Sequence, residues 1–267
     1  MQGSLTGWDL ALIVVVSVMG TAVAYLRHPE HKAFVLLLPV PFTLAMLSVA
    51  RPIDATNVLG LPLIFGFSFG VWVFHTRWRW PIVVAIATAV AGYGVIGAGV
   101  ARLDLGGAAA FWIAEAATMA VALALIRVLP PSDDPHTQTP LPVWVKLPAI
   151  ALTVAMVIAI KPWLSGFMTM FPMVLAVASY EARRSLWTIV RRIPWLILIM
   201  IPMMAIIRLT QDWIGLPAAL ALSWPILLAL LWLLRGALLP GPTGEGVLYG
   251  LPTINTSRGD PEWRDAR

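Results

Sequence analysis

The chain contains no cysteine, and only 12% of its residues are charged. The first absence excludes disulfides, thiolate metal sites and covalent cysteine chemistry. The second, beside 60% hydrophobic residues and a mean hydropathy of +0.86, excludes an apolar surface that closes into one soluble core. Histidine is scarce too: His28, His31, His75 and His136 all fall in loops or at the ends of apolar runs, so no histidine-held haem or metal is expected in mid-membrane. No basic residue precedes Trp8, and the apolar run that follows is too long for a usual signal core. It reads as a retained first helix despite the Ala22-Val23-Ala24 sequence near its end. Also missing are a Gly-x-Ser-x-Gly elbow, a His-Glu-x-x-His pair, a phosphate-binding glycine loop with lysine and an intramembrane aspartate pair. No enzyme activity and no cofactor is expected.

What is present is a series of apolar runs. A hydrocarbon core of about 30 Å needs about 20 helical residues to cross it, and runs of that size stand near 8–26, 33–50, 56–74, 80–101, 107–129, 143–160, 164–180, 193–208 and 213–234. Alternating segments of β-barrel type are absent, so the expected fold class is all-α: a polytopic membrane protein of about nine transmembrane helices. The expected organisation is a four-helix repeat over 1–101, a linker helix with a Pro-rich loop over 102–142, a second and inverted four-helix repeat over 143–235, and a disordered tail over 236–267.

Charge placement orients this scheme. One side collects Arg27, Lys32, Arg77, Arg79, Arg127, Lys146, Arg183, Arg184, Arg191, Arg192, Arg235 and the arginines of the tail; the other has Arg51, Arg102, Lys161 and Arg208. By the positive-inside rule the rich side is cytoplasmic, which puts the N-terminus outside and the C-terminus inside a bacterial inner membrane. The pI of about 10.1 then records this bias and calls for no nucleic acid. Membrane lipid and a small solute or ion are the expected partners, with a homo-oligomer left open.

The inversion comes from a faint internal echo. Residues Lys32 to Thr76 reappear, much altered, 133 residues later as Ser165 to Leu209, with Phe34 and Pro39 falling on Phe167 and Pro172. An odd number of spans between the two starts turns the copies upside down. The polar turn after the first copy's proline helix carries Arg51 and Asp54, and its counterpart carries Arg183, Arg184, Arg191 and Arg192, the opposite bias that opposite orientation requires.

Met170-Phe171-Pro172-Met173, then Ser179-Tyr180-Glu181-Ala182-Arg183, then Leu216-Pro217-Ala218-Ala219 with Trp224, stand at the spacing of a known family. Over roughly residues 145–234 the chain resembles the GlpM-like family of small four-helix bacterial inner-membrane proteins. The first half keeps Pro39 but has Leu38 where the family has Phe. The resemblance implies a fused, inverted duplication of a dual-topology protein, and by analogy with other dual-topology families it favours transport.

Three groups of residues are candidates for chemistry. Glu115 lies inside the fifth span, where an acid costs a few kcal/mol unless it is paired, protonated or facing water; it is a candidate for proton or cation coupling, against an acid near the outer interface. The breaks at Pro39, Pro41 and Phe171-Pro172 free backbone carbonyls, and with Thr43, Asn57, Thr169 and Tyr180 they are candidates for a substrate path. Prolines as packing kinks are the plainer alternative. Glu181, Arg183 and Arg184 are candidates for a gate, or are snorkelling anchors. Ser185 to Arg192 reads as a short interfacial helix, and Gly92, Gly94, Gly97 and Gly99 as sites of close helix approach. The expected function is gradient-driven movement of a small solute or ion at the interface of the repeats. The alternative is an accessory or assembly subunit of a larger membrane complex.

Overall fold

The structure is a computed structural model that describes residues 6–25, 38–103, 105–130 and 164–233, with residues 142, 144, 145, 147, 148 and 150–152 between them. Among these residues there is helix and no strand. The helices are α1 (Gly7–Tyr25), α2 (Val40–Val49), α3 (Ala55–Trp72, prolonged by a π turn Val73–Arg77), α4 (Ile82–Val100), α5 (Ala108–Val128), α6 (Met173–Glu181), α7 (Leu186–Ile214) and α8 (Leu216–Leu233), with a 3₁₀ turn at Ser165–Met170 before α6. Five of them, α3 with its π turn, α4, α5, α7 and α8, are long and apolar enough to cross a membrane. Val95, Ile113 and Leu222 are among the large apolar side chains left exposed, as expected of a surface that meets lipid. Most of the predicted span over 143–160, and the tail over 236–267, lie outside the described residues.

Local sequence sets the helix ends. Asp54 caps α3, accepting from the Thr56 N–H at 2.8 Å, while Asn57 returns its Oδ1 to the Asp54 N–H at 2.9 Å. Thr6 and Asp9 do the same for α1, with the Thr6 N–H donating to Asp9 Oδ2 at 2.9 Å and the Asp9 N–H donating to Thr6 Oγ1 at 3.2 Å. Ala50 closes α2 in the left-handed region at φ 50.

Contacts between helix ends fix their directions. The Ile53 N–H, just before α3, donates to Gln211 Oε1 at the end of α7 at 2.8 Å, and Trp72 at the end of α3 meets Trp187 at the start of α7 with ring centroids 4.8 Å apart. The two helices are therefore antiparallel. Arg208 lies over the Phe111 ring, and Trp187 Nε1 donates to the Pro130 carbonyl at 3.3 Å, so α5 is also antiparallel to α7. This topology gathers Arg77, Arg79, Arg127, Arg183, Arg184, Arg191 and Arg192 at one end of the bundle. Arg51, Arg102 and Arg208 stand at the other with Asp9, Asp54 and Asp212.

Two readings of the sequence change. The expected interfacial helix at Ser185–Arg192 and the span after it are one helix of 29 residues, running through Pro194 and Pro202. Membrane helices absorb such prolines because neighbouring groups re-satisfy the freed carbonyls. Of the four glycines on α4, only Gly97 is closely approached: a Cβ there would meet Phe167 at 3.3 Å, whereas Gly92, Gly94 and Gly99 face open space.

Candidate functional site

The two prolines that the sequence pairs, Pro39 and Pro172, have nearly the same backbone conformation. Pro39 stands at φ −80, ψ 39 and Pro172 at φ −77, ψ 50, and each is the residue from which a short helix starts. Pro41 follows within the first turn of α2, where its missing N–H is harmless. With 10 and 9 residues, α2 and α6 rise about 13–15 Å, half of a hydrocarbon core. They run to opposite ends: α2 finishes beside the start of α3, and α6 finishes beside the start of α7.

Between Leu164 and Met173 the second break is folded into the first half of the chain. The 3₁₀ turn packs against α2, α3 and α4. Its Gly166 N–H donates to Thr56 Oγ1 at 3.0 Å, and a Cβ on Gly166 would lie 2.2 Å from that oxygen and 2.7 Å from the Asn57 backbone nitrogen, so only glycine fits. Gly60 is equally tight, with Met170 2.6 Å from where its Cβ would be.

The carbonyls of this turn are taken up by side chains. Asn57 Nδ2 donates to Thr169 Oγ1 at 3.0 Å, to the Gly166 carbonyl at 3.3 Å and to Met46 Sδ of α2 at 3.3 Å. Thr169 Oγ1 donates to the same Gly166 carbonyl at 2.7 Å. The Tyr93 hydroxyl of α4 donates to the Phe167 carbonyl at 2.9 Å, and its ring meets Phe171 edge-on at 5.2 Å. Asn57, Thr169 and Phe171 are thus brought together, and all three are buried. At the other break, Thr43 Oγ1 donates to the Pro39 carbonyl at 3.0 Å and accepts from Trp224 Nε1 of α8 at 3.1 Å.

Tyr180 does not join the breaks. It stands at the basic end with Glu181, its ring 5.3 Å from the Arg183 guanidinium, which donates to the Tyr180 carbonyl at 3.3 Å. Arg183 and Arg184 line a half-open cavity of about 390 Å³ with Trp72, Thr76, Leu186 and Trp187.

Glu115 belongs to neither group. It is the eighth residue of α5, about 10 Å along the axis, on the buried face with Phe111, Ala114, Thr118 and Ala122 that packs against α3 and α7. Among the described residues, its Oε1 and the Thr118 hydroxyl one turn on are buried without a hydrogen-bond partner. The hydroxyls of Ser17 and Ser68 are likewise buried without a partner among the described residues, but Glu115 is the one ionisable group of the four.

Sequence reading passed over Gly166 and Thr56, which close the turn, and Gln211, which bonds the Ile53 backbone; none carries a motif, although Asp54-x-x-Asn57 is a legible cap. Comparison with known proteins gives no match to any family model, to any curated protein or to any solved structure. What the fold defines is a class: an all-helical chain with several helices able to span a membrane, built around a broken segment held by side-chain hydrogen bonds.

Proposed function

We propose that the chain is a membrane transporter or channel for a small solute or ion, driven by a gradient, with its path at the interface of two inverted four-helix halves. The observation that carries this reading is the pair of breaks. Pro39 and Pro172 share a conformation, their half-helices point to opposite ends, and the second break packs on helices of the first half. In transporters, discontinuous helices at a repeat interface present backbone groups to the solute near mid-membrane. Here those groups are held by Asn57, Thr169 and Tyr93, so the arrangement is a closed form, and a solute that replaces the Asn57 amide at the Gly166 carbonyl opens it. Glu115 is the coupling residue, a carboxylic acid on a helix that touches both halves. The GlpM-like motifs fit an origin by duplication and fusion, and the arginine-rich end is cytoplasmic in a bacterial inner membrane.

The test is flux and pH change in proteoliposomes challenged with a panel of small anions, cations and metabolites. A substrate-dependent signal absent from empty liposomes, and lost in Asn57→Ala, supports the reading. Silence from folded, inserted protein overturns it. One observation favours the second reading, an accessory or assembly subunit: every polar group named at the break already has a partner within the chain. Co-purification of a stoichiometric membrane partner would select it.

A further inference from the structure

The cavity at the basic end holds chemistry that the breaks do not use. Arg183 and Arg184 line it together with Thr76. Arg184 is exposed. Arg183 is half-buried and pre-positioned, its guanidinium held over Tyr180 and tied to the Tyr180 carbonyl, which orients its remaining donors. The wall is apolar and aromatic: Trp72 and Trp187 meet with centroids 4.8 Å apart and ring planes tilted by 50°, and Trp187 Nε1 donates to the Pro130 carbonyl. At the mouth α7 begins, and no side chain caps it at Ser185. Its first N–H groups and dipole add to the positive field.

We infer that this cavity is a binding site for a phosphate group, supplied by the headgroup of an anionic phospholipid. Guanidinium forks match phosphate oxygens in geometry and charge. A volume of about 390 Å³ is larger than a lone phosphate fills and leaves room for the glycerol that carries it. Indole rings favour the headgroup layer, so a cavity walled by Trp72 and Trp187 at the arginine-rich end of the bundle suits a lipid phosphate. The inference is independent of whether any solute crosses the membrane.

The test is native mass spectrometry of the full chain in detergent, titrated with phosphatidylglycerol, with phosphatidylcholine and with inorganic phosphate. The expected result is retention of phosphatidylglycerol over phosphatidylcholine, reduced at least about tenfold in the Arg183→Gln/Arg184→Gln double variant. The Arg77→Gln/Arg79→Gln variant, which removes the same charge from the same end but outside the cavity, is expected to keep the preference. Circular dichroism melts of both variants separate loss of binding from loss of fold. Binding of inorganic phosphate alone, lost in the first variant, assigns the site to a soluble phosphate instead of a lipid. Equal losses in the two variants, or no preference between the lipids, overturn the inference.

Discussion

The side-chain amide of Asn57 on α3 donates to the hydroxyl of Thr169 at 3.0 Å, across 112 residues of sequence. In lipid, where the hydrophobic effect does not hold helices together, such bonds and tight packing are what join one half of the chain to the other. Asn57→Ala leaves the Gly166 carbonyl to Thr169 alone and uncaps the Asp54 N–H, so a loss of about 1–3 kcal/mol of stability is expected. A double-mutant cycle with Thr169→Val, read by unfolding in detergent, is expected to give a coupling of about 0.5–1.5 kcal/mol. A coupling of zero would mean that amide and hydroxyl act independently.

Gly166→Ala tests the closeness of the break to α3. The added methyl collides with Thr56 Oγ1 and with Asn57 backbone, and the rigid backbone cannot yield as a flexible side chain does. Destabilisation of about 1–3 kcal/mol is expected. Gly92→Ala, which meets nothing within 4 Å, is the control and should be neutral or slightly stabilising. Similar melting shifts in the two variants would show that the turn is not seated where the structure has it.

Glu115→Gln keeps the shape and removes the ionisable group. If Glu115 couples flux to protons, the variant is expected to fold and insert normally but to lose the dependence of flux on a pH gradient. Unchanged pH dependence in the liposome assay reduces Glu115 to a structural acid.

Because the chain has no cysteine, single cysteines can report topology without background. Arg79→Cys and Arg102→Cys flank α4 and are expected to label from opposite sides of the membrane, with Arg79 on the cytoplasmic side. Arg51→Cys and Arg184→Cys, in corresponding loops of the two halves, are likewise expected on opposite sides. Labelling of both from one side would end the inverted-repeat reading.

The aromatic residues illustrate what hydropathy alone conveys. Trp8, Trp78, Trp213 and Trp232 are exposed at helix ends, where indole rings suit a membrane interface and each stands at the edge of an apolar run. The breaks at Pro39 and Pro172 were legible too, since proline cannot continue a helix without losing a hydrogen bond. By contrast, Pro194 and Pro202 carry the same signal and yet lie inside one unbroken helix. The difference comes from neighbours that no local pattern contains.

The sequence by itself determined the membrane-compatible helices, the clustering of arginines between particular runs and the caps at Thr6 and Asp54, because each depends on residues adjacent in the chain. Only the tertiary structure decided which faces meet: that Gly97 and not Gly94 receives Phe167, that Asn57 reaches Thr169, that Trp72 lies on Trp187, and that Tyr180 belongs with Arg183 and not with the breaks. The physical reason is that lipid tails are as apolar as the inside of the bundle. A helix face turned to lipid and one turned to protein read alike in hydropathy, so rotation and depth are set by packing and by a few polar contacts between residues far apart in the chain.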